Sequence, residues 1–319
     1  MTTYIIKRII QLVIVLVIVS VLVFVGMRAL PGDPIRMLVT KDQLTNMSEA
    51  QIAQMRHDAG LDRNIAVQYF TWVGGLFKGD LGRSIVYKTR VSDEIFRRLP
   101  RTLEIGLIAW VIGTFLGLGA GILAAVRRGS WVDTAVTSVA NAGTTVPIFW
   151  LALLLMYVFA LWLRWLPVQG WVSPSESLVG NLRHIVMPVM CAALFTVAST
   201  CRQTRSSLLG VLRQDYIRTA WSKGLRQRAV ILRHALKNSL IPIVTLSGMS
   251  LSMIVGGEVF IETVYGIPGI GRLAVEAVNN ADYPYIQAIA LIVAAVVLTV
   301  NLLVDISYGW LDARHPWHG

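Results

Sequence analysis

Six apolar runs, each close to the length needed to cross a bilayer as a helix, divide this chain and leave few folds open to it. The first, Ile9–Met27, is interrupted by only two polar residues, Gln11 and Ser20. At about 1.5 Å per residue it covers about 28 Å, near the hydrocarbon thickness. Lys7 and Arg8 precede it, as they would in a signal peptide. The run is longer than a signal peptide's apolar core and no A-x-A-like site follows, so a retained first helix is expected. The other runs are Leu103–Val126, Ala135–Trp162, His184–Cys201, Leu240–Ile261 and Tyr285–Gly309. The expected fold is all-α and polytopic, with six transmembrane helices and both termini on one side.

Composition agrees: 55% of the 319 residues are hydrophobic and only 15% charged. The net charge of +11 could suit nucleic acid, but the cations sit in patches between the apolar runs. That is the pattern of a membrane's cytoplasmic face, and nucleic acid is set aside as a partner. With the N-terminus inside, the inner segments hold fourteen Lys and Arg residues and the short outer loops three, Arg164, Arg183 and Arg272. The first outer segment, Arg28 to Arg101, carries twelve more, but it is too long for the rule and eight carboxylates dilute it. The chain is expected in a bacterial cytoplasmic membrane with both termini in the cytoplasm.

Three regions follow: an anchor helix over 1–30, an extracytoplasmic cap over 31–101, and a five-helix core over 102–319 with a cytoplasmic loop at 202–239. Within the cap, Ser48 and Gln51 match a capping box and Gly60 suits a helix C′ position, predicting a helix over Glu49–Ala59. Val67–Phe77 is a second amphipathic candidate.

Inside the core, Gly113, Gly117 and Gly121 recur every fourth residue and form a stripe that lets another backbone approach, either in a pore wall or in ordinary helix packing. Pro147 would kink the third span or mark a shallow re-entry, and Pro188 would bend the fourth. Trp162, Trp165 and Trp171 read as an interfacial belt on the outer side. Ionisable groups in a bilayer are costly and point to function. Glu104 lies at the outer start of the second span, Glu258 and Glu262 near the outer end of the fifth, and Asp305 near the inner end of the sixth. Glu258 and Glu262 are candidates for an outer gate or loop, an interfacial place being favoured for Glu258. None of these lies at mid-membrane, which weakens an ion-coupled carrier.

Soluble chemistry finds no foothold. There is no G-x-x-x-x-G-K-[ST] loop and no H-E-x-x-H pair. The glycines of YGIPGIG follow an apolar run rather than a strand and read as a loop. The histidines are scattered, and Cys191 and Cys201, about 15 Å apart on one helix, cannot pair with each other. No metal site, catalytic set or directly bound cofactor is expected.

The segment YIRTAWSKGLRQRAVILRHALKNSLIP, from Tyr216 to Pro242, is basic and free of carboxylates. Gly224 separates a short helix, Asp215–Ser222, from a second that starts near Leu225. Leu225, Ala229, Leu232 and Leu236 would form its apolar stripe, with Arg226, Arg233 and Lys237 beside it. A basic amphipathic helix can simply bind anionic lipid. A glycine-broken elbow suits a socket in a partner protein better.

At these residues the chain resembles the permease subunits of ABC importers of the dipeptide/oligopeptide/nickel class. DYIRTAWSKGL and LRHALKNSLIP are similar to that class's cytoplasmic loop. ALPGDPI, GDLGRS, RRLPRTLE, RRGSWVD, VPIFW, ETVYGIPGIGRL and DYPYIQ resemble it in the same order along nearly the whole chain. In the wider importer motif E-A-A-x-x-x-G, Arg218, Thr219 and Ala220 take the first three places and Gly224 the last. The missing Glu departs from that motif, while R-T-A-x-x-K-G is the form of the peptide branch. The resemblance implies a type I importer fold and a pore shared with a second, homologous permease. It also implies two ATPase subunits carrying ATP and Mg, and an extracytoplasmic substrate-binding protein. It makes Asp215, Arg218, Thr219, Ala220, Gly224 and His234 candidate contacts to the ATPase. Peptide is the implied cargo; nickel complexes or glutathione are alternatives within the class, and an ion-coupled carrier one outside it.

Overall fold

The computed structural model describes residues 2–29, 48–58, 60, 62–254 and 258–311. Most of ALPGDPI lies outside the described residues. The first apolar run forms α1 (Thr2–Ala29), followed by two short helices, α2 (Glu49–Asp58) and α3 (Ile65–Phe77). The long helix α4 (Val91–Val126) leads into α5 (Trp131–Thr145), then α6 (Ile148–Leu155), which continues as a π-helical turn over Met156–Trp162. Next come α7 (Leu178–Leu212) and α8 (Asp215–Ser222). Helix α9 runs over 227–254 and contains a π-helical segment, Val230–Ala235. The chain closes with α10 (Val259–Val264), α11 (Ile270–Asn279) and α12 (Tyr283–Leu311).

Among the described residues, four helices are individually long and apolar enough to cross a membrane, and two bent pairs bring the number to six where each pair counts as one span. The third span is bent far beyond a kink: α5 and α6 meet at 104° across Val146 and Pro147, the geometry of a broken span or of a re-entrant turn. Val146 precedes a proline and takes an extended backbone (ψ 125°), which ends α5. The fifth span is shorter than the sequence suggested. Helix α9 is described as far as Ile254, and Glu258 (ψ 70°) is non-helical ahead of the separate helix Val259–Val264, so Leu240–Ile261 is not one element.

Helices α4 and α7 form the central pair, flanked by α5 and α9, with α12 against α9 and α1 against α12. A buried apolar core from α4, α6, α7 and α10 includes Ile105, Ala152, Ile185, Met187 and Ile261. Ala109, Ala160, Ala192 and Ala193 supply its small members.

At one end of the bundle the segment before α4 is fastened to the start of α12. Asp282, fully buried, accepts hydrogen bonds from the Ser84 hydroxyl and from Ile85 N–H (3.2 Å). Thr89 and the buried Tyr285 hydroxyl lie 3.1 Å apart. GDLGRS and DYPYIQ, nearly two hundred residues apart in sequence, are thus two halves of one joint. On the same side α3 leans on α1: the Tyr69 ring packs edge-on against Phe24 at 5.3 Å, and Arg28 donates through Nε to Gln68 (2.9 Å). The capping box forms, Ser48 N–H to Gln51 Oε1 at 2.9 Å and Gln51 N–H to Ser48 Oγ at 3.3 Å. The helix it starts ends at Asp58, and Gly60 has φ +67°.

Candidate functional site

The elbow occupies the other end of the bundle. Helix α7 stops at Leu212, and Gln214 takes an extended backbone (ψ 149°) that turns the chain into α8. Asp215 in the first turn suits the positive helix end, and Arg218 approaches it at 3.3 Å. Both side chains are exposed, so this pair adds little stability. Ile217 and Ala220 point inward to Ala125, Leu208, Val230, Ile231 and Ala235, and that small cluster fixes the elbow to the ends of α4 and α7. Tyr216 accepts a hydrogen bond from Asn238 (2.7 Å), tying α8 to α9. Gly224 has φ +74°, a left-handed conformation that side chains disfavour, and a β-carbon there would meet open space. The requirement for glycine within this chain is therefore conformational, not steric.

The second arm departs from the sequence expectation. Its helix begins at Gln227, and the π-helical segment Val230–Ala235 widens the turn. Val230, Ile231 and Ala235 become the buried face, while Leu225 and Leu232 are exposed and Ala229 and Leu236 are half-buried. The predicted stripe Leu225–Ala229–Leu232–Leu236 is out of phase because it assumed an uninterrupted period of 3.6. His234 sits half-buried within the π segment. Thr219 is exposed, its hydroxyl bonded to the Asp215 carbonyl (3.1 Å). Arg213, Arg218, Lys223, Arg226, Arg228, Arg233 and Lys237 are all exposed, which gives the elbow a cationic outer surface.

Between the two ends runs a seam. Gly113, Gly117 and Gly121 face Thr196, Thr200 and Thr204 in that order, so α4 and α7 run parallel. A β-carbon on each glycine would lie 2.6, 2.7 and 2.5 Å from the Cβ of the facing threonine. The glycines are thus holes for a threonine ladder, and that ladder has the same four-residue period in the sequence.

The two carboxylates named as candidates for an outer gate or loop lie near the far end, and Glu262 is braced against the start of α11. It is 2% exposed, accepting from Thr102 Oγ1 (2.6 Å) and from Arg272 N–H in the first turn of α11 (2.9 Å). Thr102 in turn accepts from Ile270 N–H (2.8 Å). Glu262 therefore caps α11, whose own N-cap, Gly269, has no side chain to do so. A β-carbon at Gly269 would collide with this carboxylate, and one at Gly271 would lie 3.1 Å from it. The glycines of YGIPGIG make room for a brace. Glu258 lies half-buried at the start of α10. Trp171, unlike the other two tryptophans of the expected belt, is half-buried and partnered. Its ring packs under the Arg101 guanidinium at 4.7 Å and its N–H bonds to Glu104 (3.0 Å), whereas Trp162 and Trp165 are exposed.

One pair near the elbow was missed by sequence reasoning. Asp133, 5% exposed at the start of α5, receives Arg205 of α7 through Nε (2.6 Å) and Nη2 (2.8 Å). Gly129 N–H (3.0 Å) and Thr137 (3.3 Å) complete its shell. The RRGSWVD turn is thereby held to α7 just above the elbow cluster. Asp133 precedes the apolar run that marked the third span, so it drew no attention as a buried charge.

Two family models match the chain. Residues 1–106 match the N-terminal part of binding-protein-dependent transport system membrane components, and residues 117–315 match the binding-protein-dependent transport system inner membrane component. A di/tripeptide transport system permease protein of Pseudomonas aeruginosa is 35% identical over 98% of both chains. A Brucella abortus protein, named as a candidate peptide transport system permease, is 40% identical over 98% of this chain and 99% of its own. Among solved structures, the inward-facing MetNI methionine ABC transporter superposes with a TM-score of 0.54 at 16% identity, covering 68% of this chain and 96% of that one. An amino acid ABC transporter crystallised with histidines gives a TM-score of 0.50 at 18% identity, covering 69% and 94%. At these identities the structural likeness is one of fold.

Proposed function

The chain belongs to the binding-protein-dependent transport system inner membrane components, and on that premise we propose that it is the pore-forming permease subunit of an ATP-driven importer of di- and oligopeptides. The peptide cargo is supported by the names of its full-length relatives. The chain is a multi-pass protein of the inner membrane. The excess of Lys and Arg at the elbow end supports cytoplasmic termini and a cytoplasmic elbow. Its work is mechanical: it binds no cofactor itself, and ATP with Mg is hydrolysed on two partner ATPase subunits. A second homologous permease completes the pore, and an extracytoplasmic binding protein delivers the peptide.

The observation that carries this reading is the elbow. Its inner face is glued to α4 and α7 by Ile217, Ala220, Val230 and Ile231, while its outer face is exposed and cationic around Gly224. A lever fixed on one side and free on the other can pass a push from below into the helix pair α4–α7. Asp215, Arg218, Thr219 and Gly224 form its outer contact surface, with Ala220 and His234 setting its shape. The threonine ladder against Gly113, Gly117 and Gly121 would let the two helices move as one wall.

The test compares two substitutions at Gly224 in the reconstituted importer. Gly224→Ala costs only its backbone conformation, about 1–2 kcal/mol, and transport should persist. Gly224→Trp adds bulk where this chain has open space, so the chain should fold and insert while peptide uptake stops and ATP hydrolysis continues or the ATPases dissociate. Wild-type uptake in Gly224→Trp, or peptide transport by the permeases without ATPase subunits, would overturn the reading.

A further inference from the structure

A groove of about 530 Å³ opens between α1, α9 and α12 in the elbow half of the bundle. At its mouth Arg8 and Asp305 form an ion pair, Nε to Oδ2 3.3 Å, with side chains 39% and 26% exposed. About one turn deeper stand two amides, Gln11 on α1 and Asn301 on α12, both exposed. Beyond them the walls are alkyl: Leu12 and Val15 on α1, Leu298 on α12 and Met249 on α9. Because Arg8 near the start of α1 meets Asp305 near the end of α12, the two helices are antiparallel. Both therefore show the same sequence of charge, amide and alkyl, over about 10 Å of depth.

That sequence matches the polarity of a phospholipid from headgroup through ester to acyl chain. Each amide oxygen has a long bond within the chain, Gln11 Oε1 from Arg8 Nη1 (3.5 Å) and Asn301 Oδ1 from Ser252 Oγ (3.4 Å), which leaves the amide N–H groups to face the groove. Amide donors facing bare hydrocarbon are costly, so an occupant with acceptor oxygens at that depth is favoured. We propose that it binds one phospholipid of the elbow-side leaflet, with a zwitterionic, primary-amine headgroup. The phosphate sits on the Arg8 guanidinium and the ammonium on the Asp305 carboxylate. The ester oxygens lie at Gln11 and Asn301, and one acyl chain lies along Leu12, Val15 and Leu298. The preference follows from charge. An anionic lipid would satisfy Arg8 but set its phosphate against Asp305, whereas a primary ammonium can donate charge-assisted hydrogen bonds to that carboxylate. The site requires only that the chain spans a membrane, not that the elbow meets an ATPase.

The complete complex, assembled in nanodiscs of equal phosphatidylethanolamine and phosphatidylglycerol, is released and analysed by native mass spectrometry. Wild type should retain one phosphatidylethanolamine per copy of this chain. Asp305→Asn should lower the retained ratio of phosphatidylethanolamine to phosphatidylglycerol by roughly tenfold, the effect of about one charge-assisted contact. Val15→Trp, which fills the alkyl wall and leaves the ion pair in place, should empty the groove. Three results would each overturn the site: no lipid retained by wild type, a ratio indifferent to both variants, or a Val15→Cys cross-link to a second permease subunit showing that protein covers the groove. Loss of uptake in Gly224→Trp with lipid retention unchanged would keep the two proposals separate.

Discussion

Gly121 and Thr204 face each other so closely that a β-carbon on the glycine would stand 2.5 Å from the threonine's own, and 2.6 Å from the Cys201 carbonyl oxygen. This is the tightest point of the seam between α4 and α7. The contact involves backbone as well as side chain, so the neighbours cannot rotate away. The small residue is what allows the two longest core helices to share one wall.

Gly121→Ala should therefore destabilise the folded protein by about 1–3 kcal/mol through overpacking. Gly119, two residues earlier on the same helix, has nothing within 4 Å of the place a methyl group would take. Gly119→Ala should be neutral or stabilise by up to about 1 kcal/mol through helix propensity alone. Thermal unfolding of the two variants in the same detergent checks the contrast, and equal effects would remove the close-packing explanation.

Glu262→Ala should loosen the far end by about 2–3 kcal/mol, because Thr102 Oγ1 and the Arg272 N–H lose a buried acceptor. Glu262→Gln keeps an acceptor and should lose less. Hydrogen exchange at Ile270–Arg272 reports the change directly. A gate residue would instead alter transport with those amides still protected.

Asp133→Ala leaves the Arg205 guanidinium without its bidentate partner. Arg205 is 30% exposed and partly hydrated, so the cost should fall near about 2–3 kcal/mol, below that of a wholly buried broken pair. Removing both side chains should cost less than the sum of the single changes, which a double-mutant cycle on unfolding midpoints measures. Strict additivity would mean that the two groups do not support each other.

Legibility differed by the range of the interaction that decides each feature. The spans, the capping box at Ser48 and the elbow at Gly224 are set by local composition, and the sequence displays them. The glycine stripe was visible too. Its partners, Thr196, Thr200 and Thr204, carried the same period but were overlooked because threonine is ordinary in a membrane helix. Helix phase beyond Gly224 was lost to a π-helical segment that nothing local announces. Val230, Ile231 and Ala235 are buried because tertiary packing selects them. Asp133 and Glu262 look like loop-edge acids until Arg205 and Thr102, distant in sequence, arrive beside them. The partners of Trp171, Arg101 and Glu104, are likewise distant in sequence.

The joint between Ser84 and Asp282 has a bearing on how the protein is made. The ribosome delivers the serine early, with nearly two hundred residues still to be translated before the carboxylate that will accept its hydroxyl exists. Sealing this end of the bundle therefore has to wait until α12 has been made. Until the closing helix has threaded into the bilayer, the nascent chain must carry this surface unsealed, and a ribosome stalled before that point leaves an incomplete protein for membrane quality control to remove.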